Sequence, residues 1–163
     1  MATSSTNLLV PDQRLTTWRM VGGLFALLGM LISFYLLLYD LGRTSLVCPI
    51  SGCEVVQASI YSKWFGIPVA AFGFVFYLSL FGISMHGLFS NRLFGFKLQN
   101  LLLIGSGFGL VVYGYFTMLE WLVIHAWCFW CVVSSLSLLG FFLTAWQGFR
   151  YQQAHKAHSS SQT

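Results

Sequence analysis

Four cysteines fall in two close pairs, Cys48 with Cys53 and Cys128 with Cys131. Paired thiols can close to a disulfide, reopen, and exchange with another disulfide through thiolate attack and a mixed intermediate. Cys128-Phe129-Trp130-Cys131 is a C-x-x-C placed where a helix should begin. At i and i+3 its two sulfurs share one helical face. A first-turn thiolate there is stabilised by unpaired backbone N–H groups and the positive end of the helix dipole. The other pair sits in C-P-I-S-G-C, where Pro49 and Gly52 predict a turn. A mobile loop pair reachable from water, beside a helix pair next to lipid, makes a relay in which electrons enter at the loop and leave at the helix.

Four cysteines also suit zinc or an iron–sulfur cluster, or two structural disulfides. The unequal C-x4-C and C-x2-C spacing weighs against a metal. So does an oxidising outer compartment, where disulfides persist. No metal is expected.

The elements that position these residues are read from the charges. Hydrophobic residues make up 57% of the chain and charged ones 7%. Soluble domains carry about 25% charged residues, so this chain cannot cover a water-facing surface. Met20–Tyr39, Trp64–Asn91, Leu98–Leu119 and Trp121–Phe149 contain no Asp, Glu, Lys or Arg, over 20, 28, 22 and 29 residues. A helix crosses a hydrocarbon core of about 30 Å with roughly 20 residues. A β-barrel would need short strands of alternating polarity, which these runs lack. The expected fold is an all-α membrane protein: an antiparallel four-helix transmembrane bundle with an outer loop capping a pocket. The first run is too long and too late for a signal peptide and is read as a retained helix.

Six of the eight Lys and Arg (Arg14, Arg19, Arg92, Lys97, Arg150 and Lys156) fall on the side of the termini, and only Arg43 and Lys63 on the other. The positive-inside rule then places both termini in the cytoplasm and the cysteines on the periplasmic or extracellular side of a multi-pass plasma-membrane protein. The net charge of +4 is a topology signal, and no nucleic acid is expected as a partner.

The expected organisation is a loosely ordered cytoplasmic tail over 1–17, a bundle over 18–150 with an outer loop over about 40–65, and a second tail over 151–163. Within the loop, EVVQASIYSKW has the spacing of a short amphipathic helix lying on the bundle mouth. The short connection over 86–97 predicts that the second and third helices are neighbours.

Glu120 is the one acid between the third and fourth apolar runs. Intramembrane acids are costly and mark functional sites, so Glu120 is a candidate in a proton path. The competing reading is a carboxyl bonded to a neighbouring ring or snorkelling to the interface. His125 is read as an interfacial anchor. Trp64, Trp121, Trp127 and Trp130 form an outer aromatic belt, some of them walling the pocket.

At these residues the chain resembles the vitamin K epoxide reductase family, particularly its bacterial disulfide-forming members. The likeness runs from about Met20 to Phe149. Its carriers are Cys48/Cys53, then Ser59, the motif Phe72-Gly73-x-x-Phe76-Tyr77, and the C-x-x-C. The resemblance implies that Cys128/Cys131 is the active-site pair beside a bound quinone, ubiquinone or menaquinone. Cys131 would face the quinone, lined by Phe72, Phe76 and Tyr77, and Cys128 would exchange with a loop cysteine. Cys48/Cys53 would oxidise a periplasmic thioredoxin-fold protein. Ser59 would position the loop helix or polarise the head group. Members that act on vitamin K carry an Asn and a Tyr where this chain has Val69 and Ser135. That difference favours simple quinone reduction over epoxide reduction. The tails have no room for a fused thioredoxin-like domain, so the partner is expected in trans. Other functions to be distinguished are a non-catalytic membrane subunit braced by disulfides, and an epoxide or quinone reductase of another pathway.

Overall fold

A computed structural model of the chain describes residues 13–49, 52–89, 92–93 and 96–160. Residues 1–12 of the expected tail over 1–17, Ile50 and Ser51 of the cysteine loop, 90–91 and 94–95 of the connection over 86–97, and 161–163 of the second tail lie outside the described residues.

Helix α1 (Gln13–Asp40) ends in a Schellman motif. Gly42 takes a φ of +67°, and Arg43 N–H donates to Leu38 O while Gly42 N–H donates to Tyr39 O, both at 2.9 Å. A left-handed residue without a Cβ stops the helix and turns the chain across the bundle mouth. There α2 (Cys53–Ala58) and a 3-10 turn (Ile60–Ser62) form the short amphipathic unit expected from the sequence. A hairpin follows, β1 (Lys63–Trp64) pairing antiparallel with β2 (Ile67–Pro68). Its two turn residues, Phe65 and Gly66, both have positive φ, as a type I′ turn requires.

Helix α3 (Val69–Phe89) starts directly after Pro68. A second small hairpin, β3 (Arg92–Leu93) with β4 (Phe96–Lys97), leads into α4 (Leu98–Leu119). A π-helical turn over Glu120–Ile124 and a left-handed His125 (φ 54°) end that rod, and α5 begins at Phe129. α5 runs to Ser160, so the expected loose tail from Tyr151 is instead helical through residue 160. The physical reason is propagation: once a helix is nucleated, residues such as Gln152, Gln153, Ala154 and Ala157 extend it at little cost. α1 likewise starts at Gln13, inside the expected first tail.

Four helices are long and apolar enough to cross a membrane: Arg14–Asp40, Val69–Leu88, Leu98–Ile124 and Phe129–Ala154. The apolar side chains left outside follow helical spacing, such as Ile104, Phe108, Val111, Tyr115 and Met118 on α4. Such a stripe is stable against lipid and unstable against water. The chain is a membrane protein with an all-α bundle.

α1 packs against both α3 and α5, and α4 packs chiefly against α5. The second and third spanning helices, α3 and α4, do touch, but α3 leans mainly on α1. The packed core (Ala26, Tyr77, Leu80, Leu98, Leu102, Leu138, Phe141 and Ala145) lies in the half of the bundle away from the cysteines. A second, smaller cluster of Cys53, Val56 and Cys128 closes the other end. The site lies between the two.

Candidate functional site

All four cysteines meet at one end of the bundle. Cys48 and Cys53 are joined by a disulfide, with Cα atoms 6.1 Å apart. Cys128 and Cys131 are not bonded to each other. Cys53 and Cys128 are fully buried in one apolar cluster, while Cys48 is only half-buried.

Cys128 is the N-cap residue of α5. Its Sγ accepts the backbone N–H of Cys131 at 3.3 Å, the bond that a Ser or Asp makes at other helix starts. The two thiols also hydrogen-bond each other, and this bond from Cys131 is the main cause that lowers the Cys128 thiol below its ordinary range. Cys128 is thereby prepared as the thiolate of the pair.

Glu120 is buried beside both thiols. Its Oε2 accepts the Cys128 backbone N–H at 3.3 Å, and its carboxyl hydrogen-bonds the Cys131 thiol. The π-helical turn makes this possible: one widened turn swings the Glu120 side chain back under the start of α5. His125 lies exposed on the far side of that turn, its Nδ1 against Val123 O at 3.2 Å.

The loop pair is strapped down, where the sequence predicts a mobile loop. Trp130, inside the C-x-x-C, donates its indole N–H to Val47 O at 3.0 Å and stacks edge-on against Tyr35. Tyr35 in turn accepts the Val47 N–H at 2.9 Å and donates to Ser45 O at 3.2 Å. On the other flank Gly52, at a φ of +127°, lies against the Trp127 backbone. A Cβ there would sit 2.7 Å from Trp127 O. Both flanks of the disulfide are thus fixed to the residues flanking Cys128.

Ser59 ends α2. Its hydroxyl donates to Val56 O at 2.7 Å, and its carbonyl accepts the Ser62 hydroxyl at 2.8 Å. Ser62 also donates to Gln57 O at 2.6 Å. These bonds occupy the last carbonyls of a helix too short to hold itself together. Ser59 therefore shapes the lid over the site.

Beneath that lid lies an apolar cavity of about 410 Å³, within the range of small-molecule sites. Its lining includes Phe72, Phe76, Phe108, Phe116, Trp64 and, at the polar end, Ser59, Glu120 and Cys131. Cys131 opens into it and Cys128 does not. The donor set fits a quinone: flat apolar walls for ring and tail, with a thiol and a carboxyl at one end.

Tyr77 is placed differently from the expectation. Phe72 and Phe76, four residues apart, wall the cavity, but Tyr77 is turned about 100° further round α3 and is wholly buried in the core. Its hydroxyl donates to Ser134 O at 2.6 Å. The motif serves two faces: Phe72, Gly73 and Phe76 line the cavity, while Tyr77 packs against α1 and α5. Sequence reading also passed over Tyr113, Ser33 and Ser134, which line the cavity. Ser134 could have been found, since it stands one turn beyond Cys131 on the same helical face. Tyr113 and Ser33 carry no sequence signal of their own.

The sequence profile of the vitamin K epoxide reductase family matches residues 20–146. A search of curated proteins returned no match. The match takes in most of all four spanning helices and all four cysteines, so the chain belongs to the vitamin K epoxide reductase family, oxidoreductases that use quinone as an electron carrier.

Proposed function

We propose that this chain is a membrane thiol:quinone oxidoreductase that drives disulfide formation in a thioredoxin-fold partner acting in trans. One observation carries the reading. A half-buried Cys48, the buried Cys53 and Cys128, and a partly buried Cys131 that opens on an apolar cavity stand in series.

The order of burial sets the order of exchange. A partner thiolate attacks Cys48 Sγ, the Cys48–Cys53 bond breaks, and Cys53 leaves as thiolate. The partner's second thiol then releases Cys48, leaving the partner oxidised and the loop a dithiol. Cys53 attacks Cys128 of an oxidised Cys128–Cys131 bond and expels Cys131 as thiolate. Cys48 next attacks Cys53, restoring the loop disulfide and leaving Cys128 and Cys131 as thiols. That product is the arrangement seen in the structure. A quinone supplies a two-electron, two-proton acceptor when bound in the cavity. As the Cys128–Cys131 bond re-forms, the two electrons and two protons of the thiol pair would pass to that acceptor, Cys131 facing it and the Glu120 carboxyl relaying the Cys131 proton.

Quinone is favoured over epoxide as substrate. Val69 lines the cavity without a polar group, and the Ser135 hydroxyl is spent on Val132 O at 2.9 Å. The charge distribution supports an outer-face position for the cysteine end in a plasma membrane, where disulfides persist.

The test is trapping. A Cys48→Ala/Cys131→Ala variant should accumulate a Cys53–Cys128 disulfide, read by mass spectrometry of the linked peptides. A Cys53→Ala/Cys131→Ala variant should accumulate far less of the Cys48–Cys128 bond. Equal yields, or none, would refute the order of exchange.

A further inference from the structure

A chain of hydroxyls crosses the bundle at the floor of the cavity. Tyr77, wholly buried, donates to the backbone carbonyl of Ser134 at 2.6 Å. The Ser134 hydroxyl donates to Tyr77 Oη at 3.1 Å. Tyr113 Oη lies 3.0 Å from Ser134 Oγ, and either can be the donor. The Ser33 hydroxyl completes the group from α1. It and Tyr113 Oη lie 3.1 and 3.5 Å from the point where a Cβ on Gly73 would sit. Glycine at position 73 leaves room for two hydroxyls against the α3 backbone.

The proton count singles out Tyr113. The Tyr77 proton is committed to a carbonyl, so Tyr77 can only accept from Ser134. Ser134 has one proton and two acceptors in reach, Tyr77 Oη and Tyr113 Oη. When Ser134 points at Tyr77, Tyr113 donates to Ser134. When Ser134 rotates to point at Tyr113, the Tyr113 proton is free for the Ser33 hydroxyl or for a ligand in the cavity, and no buried hydroxyl loses its last hydrogen bond. Tyr113, Ser134 and Ser33 all line the cavity, and Tyr77 does not.

The placement relative to Cys131 gives this donor a partner. Ser134 stands three residues beyond Cys131 on α5, a rise of about 4.5 Å. That span is comparable to the separation of the two carbonyl oxygens across a 1,4-quinone ring. Resting on the quinone reading above, we infer that Tyr113 donates a hydrogen bond to the quinone carbonyl remote from Cys131. Ser134 is the positioning residue that frees its proton. The near carbonyl faces Cys131 and Glu120, the far one Tyr113, and the cavity thereby takes 1,4-quinones by both oxygens at once. The apolar walls supply affinity without orientation, and Tyr113 supplies the orientation.

The experiment uses the full-length protein in detergent with a small dithiol as electron donor and a 1,4-quinone labelled with 13C at its carbonyls. Turnover kinetics and infrared difference spectra of the bound quinone are both recorded. In the wild type both carbonyl stretches should lie below their positions in detergent alone, that of the far carbonyl through Tyr113. Tyr113→Phe should abolish the far-carbonyl shift and raise KM for quinone about five- to tenfold, the size of one neutral hydrogen bond, with kcat within about twofold. Ser134→Ala should weaken the shift without abolishing it, because Tyr113 then divides its proton between the Ser33 hydroxyl and the quinone. A purely structural hydroxyl tie would lower thermal stability in both variants and leave the far carbonyl stretch unmoved. A far-carbonyl shift that survives Tyr113→Phe, or an unchanged KM, overturns the inference while the quinone reading stands. A wild type that reduces no quinone overturns the parent reading and this one with it.

Discussion

Glu120 Oε2 accepts the backbone N–H of Cys128 at 3.3 Å, across the eight residues that turn the chain from α4 into α5. The bond ties the one acid of the third spanning helix to the first residue of the C-x-x-C. It gives Glu120 two tasks in the proposed relay, capping α5 and taking up the proton of Cys131, whose thiol its carboxyl hydrogen-bonds. The tasks separate by substitution. Glu120→Gln keeps an acceptor for the Cys128 N–H and should melt near the wild type. It removes the acid, so quinone turnover should fall on the order of 100-fold, the low end for acid–base catalysis. Glu120→Ala should lose the cap as well, at a cost of about 1 kcal/mol in stability. A Gln variant with full turnover would leave Glu120 only the cap.

The Cys128 thiol gives a pH prediction with a fixed sign. Its hydrogen bond from Cys131 lowers the thiol's pKa, so the thiolate forms at lower pH than the roughly 8.5 of a free cysteine. Ultraviolet thiolate absorbance of the protein with its loop disulfide closed should therefore rise below that pH, and Cys128→Ala should lose the rise. Cys131→Ala removes the hydrogen bond and should move the Cys128 midpoint up. A wild-type midpoint at or above the free-cysteine value contradicts the assignment of Cys128 as the exchanging thiolate.

Much of this arrangement was legible in the sequence, and the illegible parts share a cause. Four charge-free runs fixed the four spanning helices, because in lipid each charge is costly and its position is therefore informative. The cysteine spacing located the site for the same reason: few residue types do this chemistry. The end of α5 was misjudged because Tyr151 onward is polar, and polarity reads as loop although helix propagation past the membrane needs no apolar face. The strapped loop was missed because its strength lies in contacts between distant residues, Trp130 with Val47 and Gly52 with Trp127. Tyr77 was misplaced through a one-residue step, which on a helix is a turn of about 100° and so the difference between cavity and core.

Gly52 tests whether the loop must be held against α5. At φ +127° with Trp127 O at 2.7 Å from an added Cβ, Gly52→Ala has neither backbone nor space. The strain is on the order of 1–3 kcal/mol, enough to move Cys53 off Cys128. Oxidation of a partner protein should fall at least tenfold, while a small dithiol that reaches Cys128/Cys131 directly should still support quinone reduction. Equal loss with both donors would mean that the substitution damages the bundle itself.

The central claim is a relay in series, and single cysteine variants test it most directly. Purified protein would be given a reduced thioredoxin-fold protein, or a small dithiol, and quinone absorbance followed. Cys128→Ala and Cys131→Ala should abolish quinone reduction with either donor. Cys48→Ala and Cys53→Ala should lose the protein donor alone and keep the small dithiol. If all four variants match the wild type, or the wild type reduces no quinone tried, the relay is contradicted and the cysteines are structural.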